Sequence, residues 1–369
     1  HNMLESTSRF HDVGVELLVF DVGFGLDGWH KSTLLGTRSS WLSDAQQRQP
    51  SNGSAPPGTC LNRRDVKTVG FIGTGGMGSR MAKNVMAAGF DLVVNDSRRE
   101  ATEGLEAAGA AFAPSAATVA EAAEIVISML PTPSSVMEVA LGTDGLIHAQ
   151  HGARVWIDFS SIDKASVLTM NEQLSPSGWQ LMDASVNGVE EEAAAGTLRT
   201  WASGPRELFD ACGDVLDAMS ASVVYMGDLG NAKLAKTANA MLSGIMHMSM
   251  MEVYTWVTAA GMSEDDFEAL IRSSRNFSTA LERVMNIMLS HKFKLRKSWM
   301  AKDIGFGLDA ARSMQIPVPF SALTHEMFTV AQANGIDHYE ATGVSWEVYA
   351  LLAGRDRFPP TEGVPLETT

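Results

Sequence analysis

Three observations predict an α/β fold followed by an all-helical part. Apolar runs alternate with helical patterns over residues 66–227, a glycine-rich turn closes the first run, and helical spacing is unbroken after Gly227. Short runs separated by helices make parallel strands with crossover helices, hence a doubly wound sheet. The first run, Val69-Gly70-Phe71-Ile72, passes into Gly73-Thr74-Gly75-Gly76-Met77-Gly78 and then into a helical pattern through Met81, Ala82 and Val85. The glycines of this Gly-x-Gly-x-x-Gly act differently, in that Gly73 turns the chain sharply, Gly75 lets backbone approach a pyrophosphate, and Gly78 permits close helix-to-strand packing. The helix that follows offers free N–H groups to phosphates. A second run, Leu92, Val93 and Val94, ends at Asp96, where an acid reaches the adenine ribose of a dinucleotide. Strand, glycines, helix, strand and acid together predict a Rossmann-type domain rather than an incidental turn.

The remaining elements follow in order. Residues 103–111 carry the second helical pattern, and the run 124–130 is a buried strand stopped by Pro131-Thr132-Pro133. Residues 154–158 form another strand, ending in Phe159-Ser160-Ser161, and 179–183 and 223–226 continue the series. From Ala232 to about Gly261 apolar residues recur at helical spacing without proline, and further helical segments run to about Gly354. The expected organisation is an N-terminal extension over 1–65, a dinucleotide-binding domain over 66–227, a helical dimerisation and active-site domain over 228–355, and a tail over 356–369.

Composition narrows the function. With 369 residues the chain is long enough for two domains. A net charge of −15 and an isoelectric point near 5.0 disfavour nucleic acid and favour a small-molecule substrate. Cys60 and Cys212 lie far apart with neither disulfide nor zinc spacing, so no metal and a cytoplasmic, reducing location are expected. No apolar stretch reaches bilayer length, so no membrane partner is expected. Residues 1–65 alternate apolar pieces with polar clusters and end in a Pro/Gly/Ser linker over 49–58; they are expected to be poorly ordered and receive no function. Asp12, Glu16, Asp21, Asp27 and Asp44 argue against an import segment there. Met241, Met246, Met248, Met250 and Met251 around His247 read as core filling rather than a soft-metal site. The basic run 291–297 reads as a solvated helical face, and Glu190, Glu191 and Glu192 as an exposed helix start. Trp256, Phe267, Phe306, Phe320, Phe328 and Trp346 crowd a helical segment too short to enclose them all, which predicts a homodimer or homotetramer.

Residues 227–241 place Lys233, Lys236 and Asn239 near the start of the long helix, with Lys233, Lys236 and Ala240 on one face. A helix-borne lysine is ordinarily a solvated charge. The glycine-rich entry, the dinucleotide domain upstream and the apolar flanks favour a buried amine. Four motifs in order then make the chain, over residues 66–354, resemble the β-hydroxyacid dehydrogenase family of the 6-phosphogluconate dehydrogenase superfamily, which includes 3-hydroxyisobutyrate dehydrogenases and tartronate semialdehyde reductases. They are the fingerprint from Gly73 to Asn84, the loop Asp183-Ala184-Ser185-Val186-Asn187-Gly188 continuing to Gly196-Thr197-Leu198, the Gly-x-x-x-Lys-x-x-Asn segment ending at Asn239, and Lys302-Asp303-Ile304.

The resemblance implies hydride transfer between a nicotinamide cofactor and a small 3-hydroxy acid or semialdehyde, with Lys236 as acid/base. It implies that Ser160, Asn187, Gly188 and Asn239 hold the substrate. Gly73, Gly75, Gly76, Met77, Gly78, Asp96, Leu130, Pro131, Ser161 and Lys302 would hold the cofactor. A free lysine titrates near ~10.4, so burial or a neighbouring cation such as Lys233 has to lower Lys236; loss of Lys233 is then expected to act only modestly. Asp96 favours NAD, while Arg98 and Arg99 could clamp the 2′-phosphate of NADP, the alternative cofactor. The chain departs from the family in Asn187-Gly188-Val189 for Ser-Gly-Gly, in Ala240 for an asparagine, and in Ala232 for a glycine. Two other readings stand beside the dehydrogenase. One is an imine reductase of the same fold, against which Lys236 counts; the other is a non-catalytic cofactor-binding interaction protein, suggested by Ala240 and the altered loop.

Overall fold

The computed structural model describes residues 66–295 and 298–355. The expected extension, its linker and the C-terminal tail lie outside the described residues, as do Arg296 and Lys297.

Among the described residues eight strands form one sheet: β1 (Thr68–Ile72), β2 (Asp91–Asn95), β3 (Ala111–Phe112), β4 (Ile125–Ser128), β5 (Val155–Asp158), β6 (Gln180–Asn187), β7 (Leu198–Ser203) and β8 (Ser220–Tyr225). Their order is β3-β2-β1-β4-β5-β6-β7-β8. The chain winds outward from β1 in both directions, so the switch point lies between β1 and β4, where open α/β sheets bind ligands. β4 and β5 are buried on both faces and therefore read as continuous apolar runs. Side chains of β1, β4 and β5 alternate between two cores: Phe71, Ile127 and Ile157 face one, Ile72, Val126 and Trp156 the other.

Helices α1 (Gly76–Ala87), α2 (Glu103–Glu106), α3 (Ala116–Glu121), α4 (Pro133–Leu141), α5 (Lys164–Leu174), α6 (Glu190–Ala194), α7 (Arg206–Ala211) and α8 (Gly213–Met219) accompany the sheet. The proline stop after β4 doubles as a helix start, with Thr132 capping α4 through Ser135 N–H and Pro133 in its first turn. The second part comprises α9 (Asn231–Ala259), α10 (Glu264–Ser273), α11 (Thr279–Leu289), α12 (Met300–Ser313), α13 (Pro319–Ala333) and α14 (Ala341–Ala353). α9 packs on α12, α13 and α14, and its first turns lie against β6 and β7. The methionines of α9 fill cores as expected: Met248 joins Ile304 and Phe328, and Met250 and Met251 join Phe267 and Met285. Among the described residues no group of side chains could hold a metal ion, and no helix is long and apolar enough to cross a membrane.

Three local expectations are corrected. The helix expected over 103–111 is only Glu103–Glu106, because Gly109 turns the chain at φ +111° and Ala111 and Phe112 pair with Val93 and Val94 as an edge strand. Part of the loop expected from Asp183 to Leu198 is strand, because β6 runs on through Asn187 and pairs antiparallel with β7, where Leu198, Thr200 and Ala202 alternate inward. The basic run is not a helical face in its described part: Leu295 bridges Tyr339, and Phe293 packs against Gly343 and Trp346.

Candidate active site

The glycine turn is dictated by close contacts. A Cβ on Gly73, whose φ is +89°, would lie 2.4 Å from Met129 O, and one on Gly78 would lie 1.9 Å from Gly73 O. No side chain caps α1 at Gly75, so its first-turn N–H groups form the kind of backbone cradle that takes a pyrophosphate. Asp96 stands at the base of this loop, where its carboxylate accepts from Thr74 N at 2.7 Å and from Arg98 N at 2.9 Å. The Arg98 guanidinium reaches over the turn, 3.5 Å from where a Cβ on Gly75 would stand. Arg99 is turned elsewhere, bonding Glu106 and stacking 4.0 Å above the Phe112 ring. The glutamates expected to be a solvated helix start do open α6, but each is engaged: Glu190 pairs with Arg80 at 3.0 Å, Glu191 with Lys294, and Glu192 accepts from Val189 N at 2.8 Å.

A second cluster gathers at the carboxyl ends of β4, β5 and β6. Asp158, fully buried, accepts from Ser128 Oγ at 2.7 Å and Ser160 Oγ at 2.6 Å, while Leu130 N donates to Ser160 Oγ at 2.9 Å. Ser160 is therefore buried and bonded inside the strand ends. β5 stops opposite Asp183, so Ala184 to Asn187 of β6 have a strand neighbour only on the β7 side. α9 fills the vacant edge with two ammonium groups. Lys233 Nζ donates to Ala184 O at 2.8 Å, and Lys236 Nζ donates to Val186 O at 2.9 Å.

The two lysines differ in what surrounds them. Lys233 is 1 % exposed; its three N–H groups go to Ala184 O, Asp158 O and Ser160 O, and Asp158 Oδ2 stands 3.0 Å away. Lys236 is half-buried beside Asn187 and Gly188, with Asn239 half-buried one turn further on. Above the strand ends, Lys302 Nζ lies 3.3 Å from both Pro131 O and Ser161 O and 5.0 Å over the Trp299 ring. Burial pushes the Lys302 amine below the ordinary lysine range, opposed by Asp303 and reinforced by Lys236 and Lys233. Burial raises the Asp303 carboxyl, and Lys236 and Lys302 pull it back.

The structure thus brings Leu130, Pro131, Ser160, Ser161, Asn187, Gly188, Lys236, Asn239 and Lys302 to one end of the sheet, with Gly73, Gly75, Gly76, Met77, Gly78 and Asp96 at the neighbouring turn. Sequence reasoning gave no role to Asp158, which ends β5, or to Asp183, its neighbour within β6. Asp183 Oδ1 accepts from Gly230 N at 2.6 Å and Ser203 Oγ at 2.5 Å, and its Oδ2 from Lys233 N at 3.1 Å, so a strand carboxylate caps the long helix. An acid at the end of an apolar run was its one sequence signal.

Comparison with known proteins bears on this geometry. Residues 68–227 match the family described as the NAD binding domain of 6-phosphogluconate dehydrogenase, and residues 230–344 match the NAD-binding region of NADP-dependent 3-hydroxyisobutyrate dehydrogenase. The 3-hydroxyisobutyrate dehydrogenase of Pseudomonas aeruginosa is 32% identical over 301 residues, covering 78% of this chain and 99% of that protein. The chain belongs to the β-hydroxyacid dehydrogenase family. The human mitochondrial 3-hydroxyisobutyrate dehydrogenase is 29% identical over 84% of this chain and 95% of its own length. A Salmonella typhimurium 3-hydroxyisobutyrate dehydrogenase structure superposes with a TM-score of 0.65 at 25% identity, covering 76% of this chain and 99% of that one. An imine reductase from Myxococcus stipitatus, at 15% identity and a TM-score of 0.54, shares the fold alone. The chain is accordingly an NAD(P)-dependent hydroxyacid dehydrogenase, and the uncapped glycine cradle fits that cofactor.

Proposed function

We propose that the chain interconverts a small 3-hydroxy acid and its carbonyl form, a semialdehyde, with Lys236 as the acid/base. The observation that carries this reading is the contrast between the two lysines of α9. Lys233 has all three N–H groups on carbonyl oxygens and no solvent access, so it cannot take a substrate proton without abandoning that network. Lys236 donates one hydrogen bond, to Val186 O, and remains half-open toward the strand ends. Bound NAD(P) supplies or accepts the hydride. Lys236 moves the proton: as an amine it accepts from the substrate hydroxyl, and as an ammonium it donates to the developing alkoxide. The Asn187 amide and Gly188 backbone, next to Val186, hold the substrate's carboxylate, and Lys302 contributes positive charge.

Turnover of a panel of 3-hydroxy acids and semialdehydes tests this. Lys236→Ala should leave NAD(P) affinity within about threefold of wild type and lower turnover by ~10²–10⁴, the usual worth of a general acid/base. Undiminished turnover in Lys236→Ala would remove the lysine from the mechanism.

A further inference from the structure

Lys233 has no part in the proton transfer, yet it is almost fully buried and donates three hydrogen bonds to carbonyl oxygens. Resting on the reading of Lys236 as acid/base, we propose that Lys233, with Asp158, is a positioning residue that sets the register of α9 against the open edge of β6 and thereby the height of Lys236. The two lysines are one helical turn apart, and their acceptors, Ala184 O and Val186 O, are two residues apart on one strand. Carbonyls two residues apart point the same way from a strand, and side chains three apart share a helix face. A helix anchored at Ala184 by Lys233 therefore presents Lys236 at Val186, beside Asn187 and Gly188.

The same ammonium reaches the cofactor side. Its bonds to Asp158 O and Ser160 O hold the end of β5, and Asp158 binds Ser160 Oγ, which accepts from Leu130 N. One buried charge thus ties both loops expected to line the cofactor to the helix that carries the proposed acid/base. Charge balance is local, because Asp158 Oδ2 lies 3.0 Å from Nζ in a site closed to solvent. In place of the modest effect expected from the sequence for Lys233→Ala, this burial predicts a large one. Truncation strands a buried carboxylate without its counter-ion.

Because Lys233→Ala could unfold the chain, two other variants carry the test. Lys233→Met with Asp158→Asn removes both charges together, and Lys233→Arg keeps the charge but replaces a compact ammonium with a planar fork that cannot meet the same three carbonyls. Expected for both are a folded protein by circular dichroism and NAD(P) binding within about threefold of wild type. Turnover per folded molecule should fall by about 10–10², since a displacement near ~1 Å is enough for that loss. Adding Lys236→Ala to either variant should then cost much less than it does in wild type, because residues that act as a unit are not additive. Wild-type turnover in the folded double variant, or full additivity with Lys236→Ala, would overturn the positioning role. Failure of both variants to fold would make Lys233 a folding residue only and likewise overturn it. If Lys236→Ala itself retains full turnover, the acid/base reading fails first, and that outcome is distinct from a dead Lys236→Ala beside an active Lys233 variant.

Discussion

Replacing Asp183 by alanine should destabilise the whole described chain, because this carboxylate joins the sheet to the helical part. It is fully buried and accepts three hydrogen bonds, from Ser203 Oγ, Gly230 N and Lys233 N. Two of these donors are backbone N–H groups at the start of α9, where the glycine at the helix start has no side chain of its own to cap them. Leaving a buried donor unsatisfied costs about 1–3 kcal/mol each, so the two amides contribute roughly 2–6 kcal/mol. Loss of a negative charge at a helix N-terminus adds up to about 2 kcal/mol in a partly buried setting. These terms overlap, so about 3–6 kcal/mol is expected, a large part of the roughly 5–15 kcal/mol that holds a typical domain. With a urea slope near ~3 kcal/mol/M, the midpoint should drop by about 1–2 M. Urea titration followed by far-UV circular dichroism and tryptophan fluorescence reads this. Asp183→Asn should cost about half as much, because the amide keeps an acceptor but turns its NH₂ toward a donor. A midpoint for Asp183→Ala within about 0.2 M of wild type would refute the account of Asp183 as the cap that joins the two parts.

Three further expectations follow from the same geometry. Asp96→Ala should weaken NAD use and improve NADP use, since it removes the acid and leaves Arg98 over the turn; initial rates with each cofactor decide this, and a wild-type preference for NADP would give the arginine the governing role. Asp303→Asn should raise the melting temperature at about pH 8 and lose that gain as pH falls. A carboxyl whose folded pKa is raised binds more protons folded than unfolded, so its stability contribution declines as pH rises above the unfolded value toward the folded one, and the neutral amide removes that penalty. Finally, light scattering at micromolar concentration should report at least a dimer. Leu242, Trp256, Phe320 and Leu323 on α9 and α13 are 71%, 69%, 74% and 64% exposed, more apolar surface than a monomer usually leaves open, whereas Phe267 and Phe328 are absorbed into the chain's own cores; a monomer would refute the pairing.

The sequence by itself determined the elements whose signals are local. The Gly-x-Gly-x-x-Gly turn is forced by close approaches at Gly73 and Gly78, the two-sided burial of β4 and β5 is written as continuous apolar runs, and α9 as helical spacing sustained over 29 residues. Lys236 could be proposed from the sequence because most of its motif lies along one helix. Tertiary structure alone decided the rest. β7 and β3 exist because a neighbouring strand offers its edge, and Arg98 and Arg99, adjacent in sequence, are separated by what each meets in space: the glycine turn for one, Glu106 and Phe112 for the other. The different surroundings of Lys233 and Lys236 were invisible for the same reason. They depend on β5 stopping opposite Asp183 and leaving two carbonyls of β6 to the lysines, and on Asp158 and Asp183, 75 and 50 residues back along the chain from Lys233, meeting one helix end from adjacent strands. A buried charge is defined by its partners, and partners dozens of residues away leave no periodic trace in the chain.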